Sequence, residues 1–185
     1  MCLAFPRFAN IQAMSTELLV LRIVHVLGGI FWLGTGLFTT FFLVPALGRL
    51  GPQAAGPVMG ALQQRRLFTV LPVVALLTII SGARLLHIVS AGFAPAYFSS
   101  RTGQTLTWSG IAAVFAFLLS VIVARPAALR SARLSASLPT MPEAERAARS
   151  IEVERLRRRI SLASTVGIVL LVGAAIGMAV ARYLG

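Results

Sequence analysis

LLVLRIVHVLGGIFWLGTGLFTTFFLVPAL, residues 18–47, is a run in which only Arg22 and His25 can ionise. A helix rises about 1.5 Å per residue and the hydrocarbon core of a bilayer is about 30 Å thick, so roughly 20 apolar residues suffice to cross it. This run is longer and must tilt or project beyond the bilayer. It is continuous rather than alternating, which excludes a strand of a membrane β-barrel. Three further runs meet the same requirement, at 67–89, 106–124 and 160–184. The sequence predicts an all-α polytopic membrane protein, a four-transmembrane-helix bundle in which residues 1–185 form a single membrane domain.

The composition agrees. Hydrophobic residues make up 57% of the 185 and charged residues 12%, with a mean hydropathy of +0.87. The net charge of +12 comes from arginine alone, since lysine and aspartate are absent. Those arginines fall mostly between the apolar runs and are not interleaved with exposed aromatics, which argues against nucleic acid as a partner and for a bilayer with anionic headgroups. The single cysteine, Cys2, excludes an intramolecular disulfide and cannot build a thiolate metal site alone, and no lipobox precedes it. Residues 1–13 lack the basic and apolar regions of a signal peptide. Either Met1 or Met14 is a sensible start, and in the second case residues 1–13 are a weakly ordered extension.

Orientation follows from the arginines. Arg49, Arg65, Arg66, Arg125, Arg130, Arg133, Arg146, Arg149, Arg155, Arg157, Arg158 and Arg159 lie on the side of the first and third connections, against Arg7, Arg101 and Arg182 on the other. Positive loops stay inside, so the first and third connections are expected in the cytoplasm and both termini outside. Gly51-Pro52 through Gly56-Pro57 reads as a turn-rich first loop. Phe93, Tyr97, Phe98 and Tyr183 read as anchors at the outer interface. The arginine-rich segment 125–159 is expected to hold its own helix, continuous with the fourth span. Its start has the capping-box pattern Thr140-Met141-Pro142-Glu143, and Glu145 with Arg149 and Glu154 with Arg158 are spaced as i,i+4 ion pairs.

Ionisable groups inside a bilayer are expensive and mark function. Besides Glu17 at the margin they are Arg22, His25, Arg84 and His87. Each histidine follows an arginine by three residues and so shares its helix face. Antiparallel neighbours could bring both pairs face to face toward the outer leaflet. From His25 the helical stripe passes Gly28, Gly29, Trp32 and Gly36. The glycines leave room for a flat or bulky group, and Trp32 would floor that space. His25 and His87 are thus candidate imidazole ligands for haem b or copper, with Arg22 and Arg84 compensating an anionic group such as a haem propionate. The alternative is a site with no cofactor. Gly28, Gly29, Gly34 and Gly36 then permit close helix packing, the histidines bond across helices and the arginines extend outward.

Gln104, Thr105, Thr107, Trp108 and Ser109 open the third span, either as part of a polar pocket with the histidines or as interfacial and helix-start residues. Gly167, Gly173, Gly177 and Ala181 form a small-residue face for close association, with an internal helix or with another subunit or copy. No nucleophile elbow, phosphate loop, dinucleotide fingerprint or paired intramembrane carboxylate occurs, so nothing marks an enzyme or a proton relay.

His25-Val26-Leu27-Gly28-Gly29-Ile30-Phe31-Trp32-Leu33-Gly34 resembles the H-x6-W-x-G signature of bacterial copper-resistance-D-like (CopD-like) membrane proteins, and Thr78-Ile79-Ile80-Ser81-Gly82 resembles their second helix. The resemblance covers the first two spans. It implies a bacterial inner-membrane protein that handles copper or, as in distant porphyrinogen-oxidase relatives, binds haem through the first-helix histidine. Those relatives often carry a lysine near the start of the third helix, where this chain has Trp108 and Ser109, which sets the oxidase chemistry aside. The expected function is binding of haem or copper near the outer face. A non-catalytic accessory subunit of a larger membrane complex is the alternative.

Overall fold

The structure, a computed structural model, describes residues 6–184, and of residues 6–15, 52 and 53 only the backbone. Met1, Cys2 and the side chain of Arg7 therefore lie outside the described residues. The chain begins with α1 (Pro6–Phe38), which passes through a π-helical turn at Thr39–Leu43 into α2 (Val44–Leu50). Helix thus already begins at Pro6, ahead of the apolar run. α3 (Pro52–Gln64) and α4 (Leu67–Val89) follow, then the short α5 (Pro95–Ser99) and α6 (Arg101–Leu118). A second π-helical turn, Leu119–Ala124, leads into α7 (Arg125–Ser137), and α8 (Glu143–Val180) closes the chain. The described residues are helices and their joins, and four helical stretches are long and apolar enough to cross a membrane: Thr16–Leu50, Leu67–Val89, Arg101–Thr140 and Glu143–Tyr183.

The first connection is a helix, not the turn-rich loop its Gly-Pro pairs predict. Gly51, at φ 81°, makes the turn, and Pro52 sits in the first turn of α3, where a missing N–H costs nothing. Pro57 lies inside α3, and the helix survives it because Met59 and Leu62 pack against the bundle. The expected helix of segment 125–159 is present and runs without a break into the fourth span as α8. Its capping box does not form. Pro142 is the N-cap, and the Thr140 hydroxyl instead donates to the Ser137 carbonyl at 2.9 Å in a 3-10 turn.

The helices pair as α1 with α4 and α6 with α8, and the pairs meet both through α4 with α6 and through the first span with α8. Glu17 reaches Arg84 and Thr102 reaches the Ala181 carbonyl, so the start of α1, the end of α4, the start of α6 and the end of α8 share one end of the bundle. The arginine-rich segments occupy the other. At the centre, Trp32 meets Phe117 edge to face, with centroids 6.3 Å apart, over the small residues Ala75 and Ala116 and against Leu171. Small side chains let helices approach where no water drives them together. Outward lie large apolar residues: Leu27, Ile30, Ile122 and Val169 are 62–64% exposed, a surface suited to lipid. Gly177 faces the Ser109 side chain and Ala181, just past α8, is buried, so this part of the small-residue face packs internally, while Gly173 of the same face is exposed.

At the end opposite the arginines, Ala91, Gly92 and Phe93 all have positive φ (52°, 78° and 65°), and the Ser90 hydroxyl accepts from the Phe93 N–H at 3.0 Å. Gly103 sits directly against the Tyr97 carbonyl, where a Cβ would collide with backbone. Gly103→Ala is expected to lower stability by about 1–3 kcal/mol, read as a lower thermal midpoint in detergent.

The ion pairs of α8 differ from those expected. Glu152 gathers Arg149, at 3.2 Å, and Arg130 of α7, whereas Glu145 and Glu154 make none among the described residues. α7 packs along α8, which brings Arg130 to a carboxylate that is only 26% exposed. Partial desolvation raises the Glu152 pKa, but the hydrogen bond from Arg149 and the charge of Arg130 outweigh it and hold the carboxyl below its ordinary 4.5. A lowered folded-state pKa stabilises above the unfolded value, and the contribution disappears as pH falls through the folded one. Hydrogen exchange in α7 is therefore expected to rise selectively below about pH 4.5, and Glu152→Gln should remove that pH dependence.

Candidate functional site

The α1/α4 seam is built from two reciprocal insertions. Gly28 of α1 lies against the Thr78 side chain of α4, and Gly82 of α4 lies beneath the His25 ring of α1. A Cβ on Gly82 would stand 2.6 Å from His25 Cε1 and 2.9 Å from Nδ1, closer than van der Waals contact allows. The room that Gly28 leaves on the His25 stripe is therefore filled by Thr78. Gly29 faces the same residue more loosely: a Cβ there would stand 3.9 Å from its methyl. Trp32 is buried in the central core, two turns from His25, and does not floor a space beneath the ring.

His25 Nδ1 lies 2.8 Å from the Thr78 carbonyl oxygen. A carbonyl only accepts, so Nδ1 carries the proton, and in the neutral ring Nε2 holds the lone pair. Nε2 makes no hydrogen bond among the described residues, and no side-chain polar atom is both buried and unpartnered, so Nε2 is accessible. The seat is rigid. The Thr78 hydroxyl donates to Val74 O at 2.8 Å, and the Ser81 hydroxyl lies between Leu77 O (2.7 Å) and Thr78 O (3.0 Å).

His87 lies elsewhere. It follows Gly82 by five residues, about 7.5 Å further along α4. Arg84 Nη1 is 3.3 Å from its Nδ1, and a guanidinium only donates, so here Nδ1 accepts and Nε2 carries the proton. Its ring stands edge-on to Phe93, with centroids 5.0 Å apart, in an aromatic cluster with Phe98 and Tyr97. No hydrogen bond or ring contact joins the two histidines, and their hydrogen bonds select opposite tautomers. Arg84 pairs with Glu17 at 2.7 Å, and both are well exposed. Arg22 is exposed and makes no ion pair among the described residues. No group of three or more His, Cys, Asp or Glu placed to hold a metal ion occurs among the described residues.

The polar residues that open the third span belong to the α6/α8 side. Thr105, Thr107 and Ser109 donate to carbonyls four residues earlier on their own helix, and Trp108 is 69% exposed. Sequence reading missed the two partners that define the seat of His25. The Thr78 carbonyl is a backbone group that no side-chain motif announces, and Gly82 stood only in the family resemblance.

Fold and seam together define an all-α protein of four potential membrane spans, its first two joined by a histidine bridging to a backbone carbonyl. Compared with protein-family models, curated proteins and solved structures, the chain matches none.

Proposed function

We propose that this protein is a multi-pass inner-membrane protein that binds haem or copper through Nε2 of His25, for metal or haem handling or electron transfer. One observation carries the reading: the 2.8 Å bond from Nδ1 to the Thr78 carbonyl. Metal-binding histidines usually donate their other ring N–H to a carbonyl or carboxylate, which fixes the tautomer and turns the ligating nitrogen outward. His87 is not poised in that way, because Arg84 occupies its Nδ1 and Nε2 carries the proton. A single imidazole suits haem, which brings four nitrogens of its own, better than copper, which needs further protein donors. Arg22, one turn from His25 and exposed, is the cation available to a propionate, while Arg84 serves Glu17. The resemblance of His25 through Gly34 to the copper-resistance-D-like signature points the same way. By the arginine asymmetry the arginine-rich end lies in the cytoplasm, which places His25 in the outer half of the bilayer and both termini outside.

Absorbance and metal analysis of the purified protein test this directly. A Soret band with stoichiometric iron is the expected result. Bound copper without a Soret band selects the other ligand, and a colourless, metal-free protein overturns the reading.

A different observation favours an accessory subunit. Gly34 of α1 and Gly173 of α8 are exposed, and a Cβ on either would meet nothing within 4 Å, which leaves open notches on these helices. Such notches accept a helix from another membrane protein. Stoichiometric co-purification of further subunits, lost in Gly173→Leu, supports that reading.

A further inference from the structure

Near the arginine-rich end, on the far side of Trp32 from His25, the helices flank a half-open cavity of about 140 Å³. Its walls are largely apolar, with Trp32, Phe68 and Leu71 among them, and Met59 of α3 covers one side. Five hydroxyls line it: Thr35 of α1, Thr39 and Thr40 of the first π-helical turn, Ser120 of the second, and Ser164 of α8. No ionisable side chain does.

These hydroxyls behave differently from others in the apolar helices. Thr78, Ser81, Thr105, Thr107 and Ser109 all donate to a carbonyl of their own helix three or four residues back. The five at the cavity make no such bond, nor any other among the described residues. A hydroxyl facing hydrocarbon without a partner is costly, and the helix backbone is its usual remedy there. Five that forgo that remedy, on three separate stretches of chain and converging on one space, mark a polar interior. One water needs roughly 10–15 Å³ of such volume, so the cavity has room for several waters or one small molecule. Both π-helical turns lie at its edge, and such turns are uncommon and recur at functional sites.

We infer that this cavity is a hydrated binding site for a small uncharged molecule bearing hydroxyl or amide groups, entered from the arginine-rich end. Hydroxyls both donate and accept, which matches such a ligand, and the lack of a charged side chain leaves an ion without a counter-charge. The site is separate from His25: the two lie at least two helical turns apart along α1, so either stands without the other.

The test uses cysteine reactivity in native membranes on a Cys2→Ser background. Ser164→Cys and Thr39→Cys face the cavity, while Val166→Cys lies two residues from Ser164 and is exposed on the lipid surface. Maleimides react with thiolate, which forms only where water reaches, so N-ethylmaleimide should label both cavity cysteines at least about tenfold faster than Val166→Cys. Molar glycerol or acetamide should slow that labelling, and equal osmolality of potassium chloride should not. Cavity cysteines no faster than Val166→Cys would overturn hydration. Fast labelling untouched by glycerol and acetamide would overturn the binding role. Ser120→Cys gives an independent reading if either variant fails to elute as the parent does.

Discussion

His25→Asn is expected to lose at least about tenfold of its bound haem or copper while keeping most of the thermal stability of the parent. The reason lies in the two nitrogens of the ring. Asparagine carries its amide nitrogen on Cγ, where Nδ1 stands, and can still donate an N–H to the Thr78 carbonyl, so the cross-helix bond survives. It offers no lone pair comparable to that of Nε2, so the ligand is lost. His25→Ala removes both functions, and its stability should fall by about 1–3 kcal/mol through the lost hydrogen bond and the space left over Gly82. Thr78→Val keeps the backbone carbonyl and should retain the ligand. An asparagine variant that retained its absorbance would show that His25 only joins helices.

Gly82→Val is expected to combine both defects. Its Cβ would stand 2.6 Å from a ring atom that is itself held by a 2.8 Å hydrogen bond, so ring and bond must move together. Overpacking of this kind costs about 1–3 kcal/mol. Displacing Nε2 by an ångström is enough to spoil ligation, so ligand content should fall alongside the thermal midpoint. Gly34→Ala on the same helix pair is the contrast: with nothing within 4 Å it should be neutral or slightly stabilising, because alanine favours helix by up to about 1 kcal/mol over glycine. Equal losses in the two variants would mean that helix flexibility, not the seat under His25, is at issue.

The spans were legible because length and hydropathy act locally. The second, 67–89, coincides with α4, and the first lies within the helix through Thr16–Leu50. What escaped depended on neighbours. Pro57 reads as a breaker until Met59 and Leu62 find the bundle to pack against. Glu145 and Glu154 have the right spacing for ion pairs, yet Arg149 pairs with Glu152 three residues on, and α7 lying alongside brings Arg130 to the same carboxylate. The site shows the same division. His25 stood out as an ionisable group in a bilayer, and the structure places it in the seam of the first two spans. Its supposed partnership with His87 required matching depth and rotation, which sequence spacing does not supply. Five residues of rise put His87 in an aromatic cluster at the end of α4 instead. The hydroxyls of the cavity were invisible for a simpler reason: serine and threonine are ordinary in helices, and only the fold collects these five.

Imidazole rescue of His25→Gly, followed by absorbance in purified protein, tests the ligand role most directly. Glycine leaves a ring-sized space above Gly82, and free imidazole can fill it. The variant should purify without a Soret band, and added imidazole with haem should restore the parent spectrum. A Soret band already present without imidazole, or a parent protein that never carries haem or copper, would contradict the account.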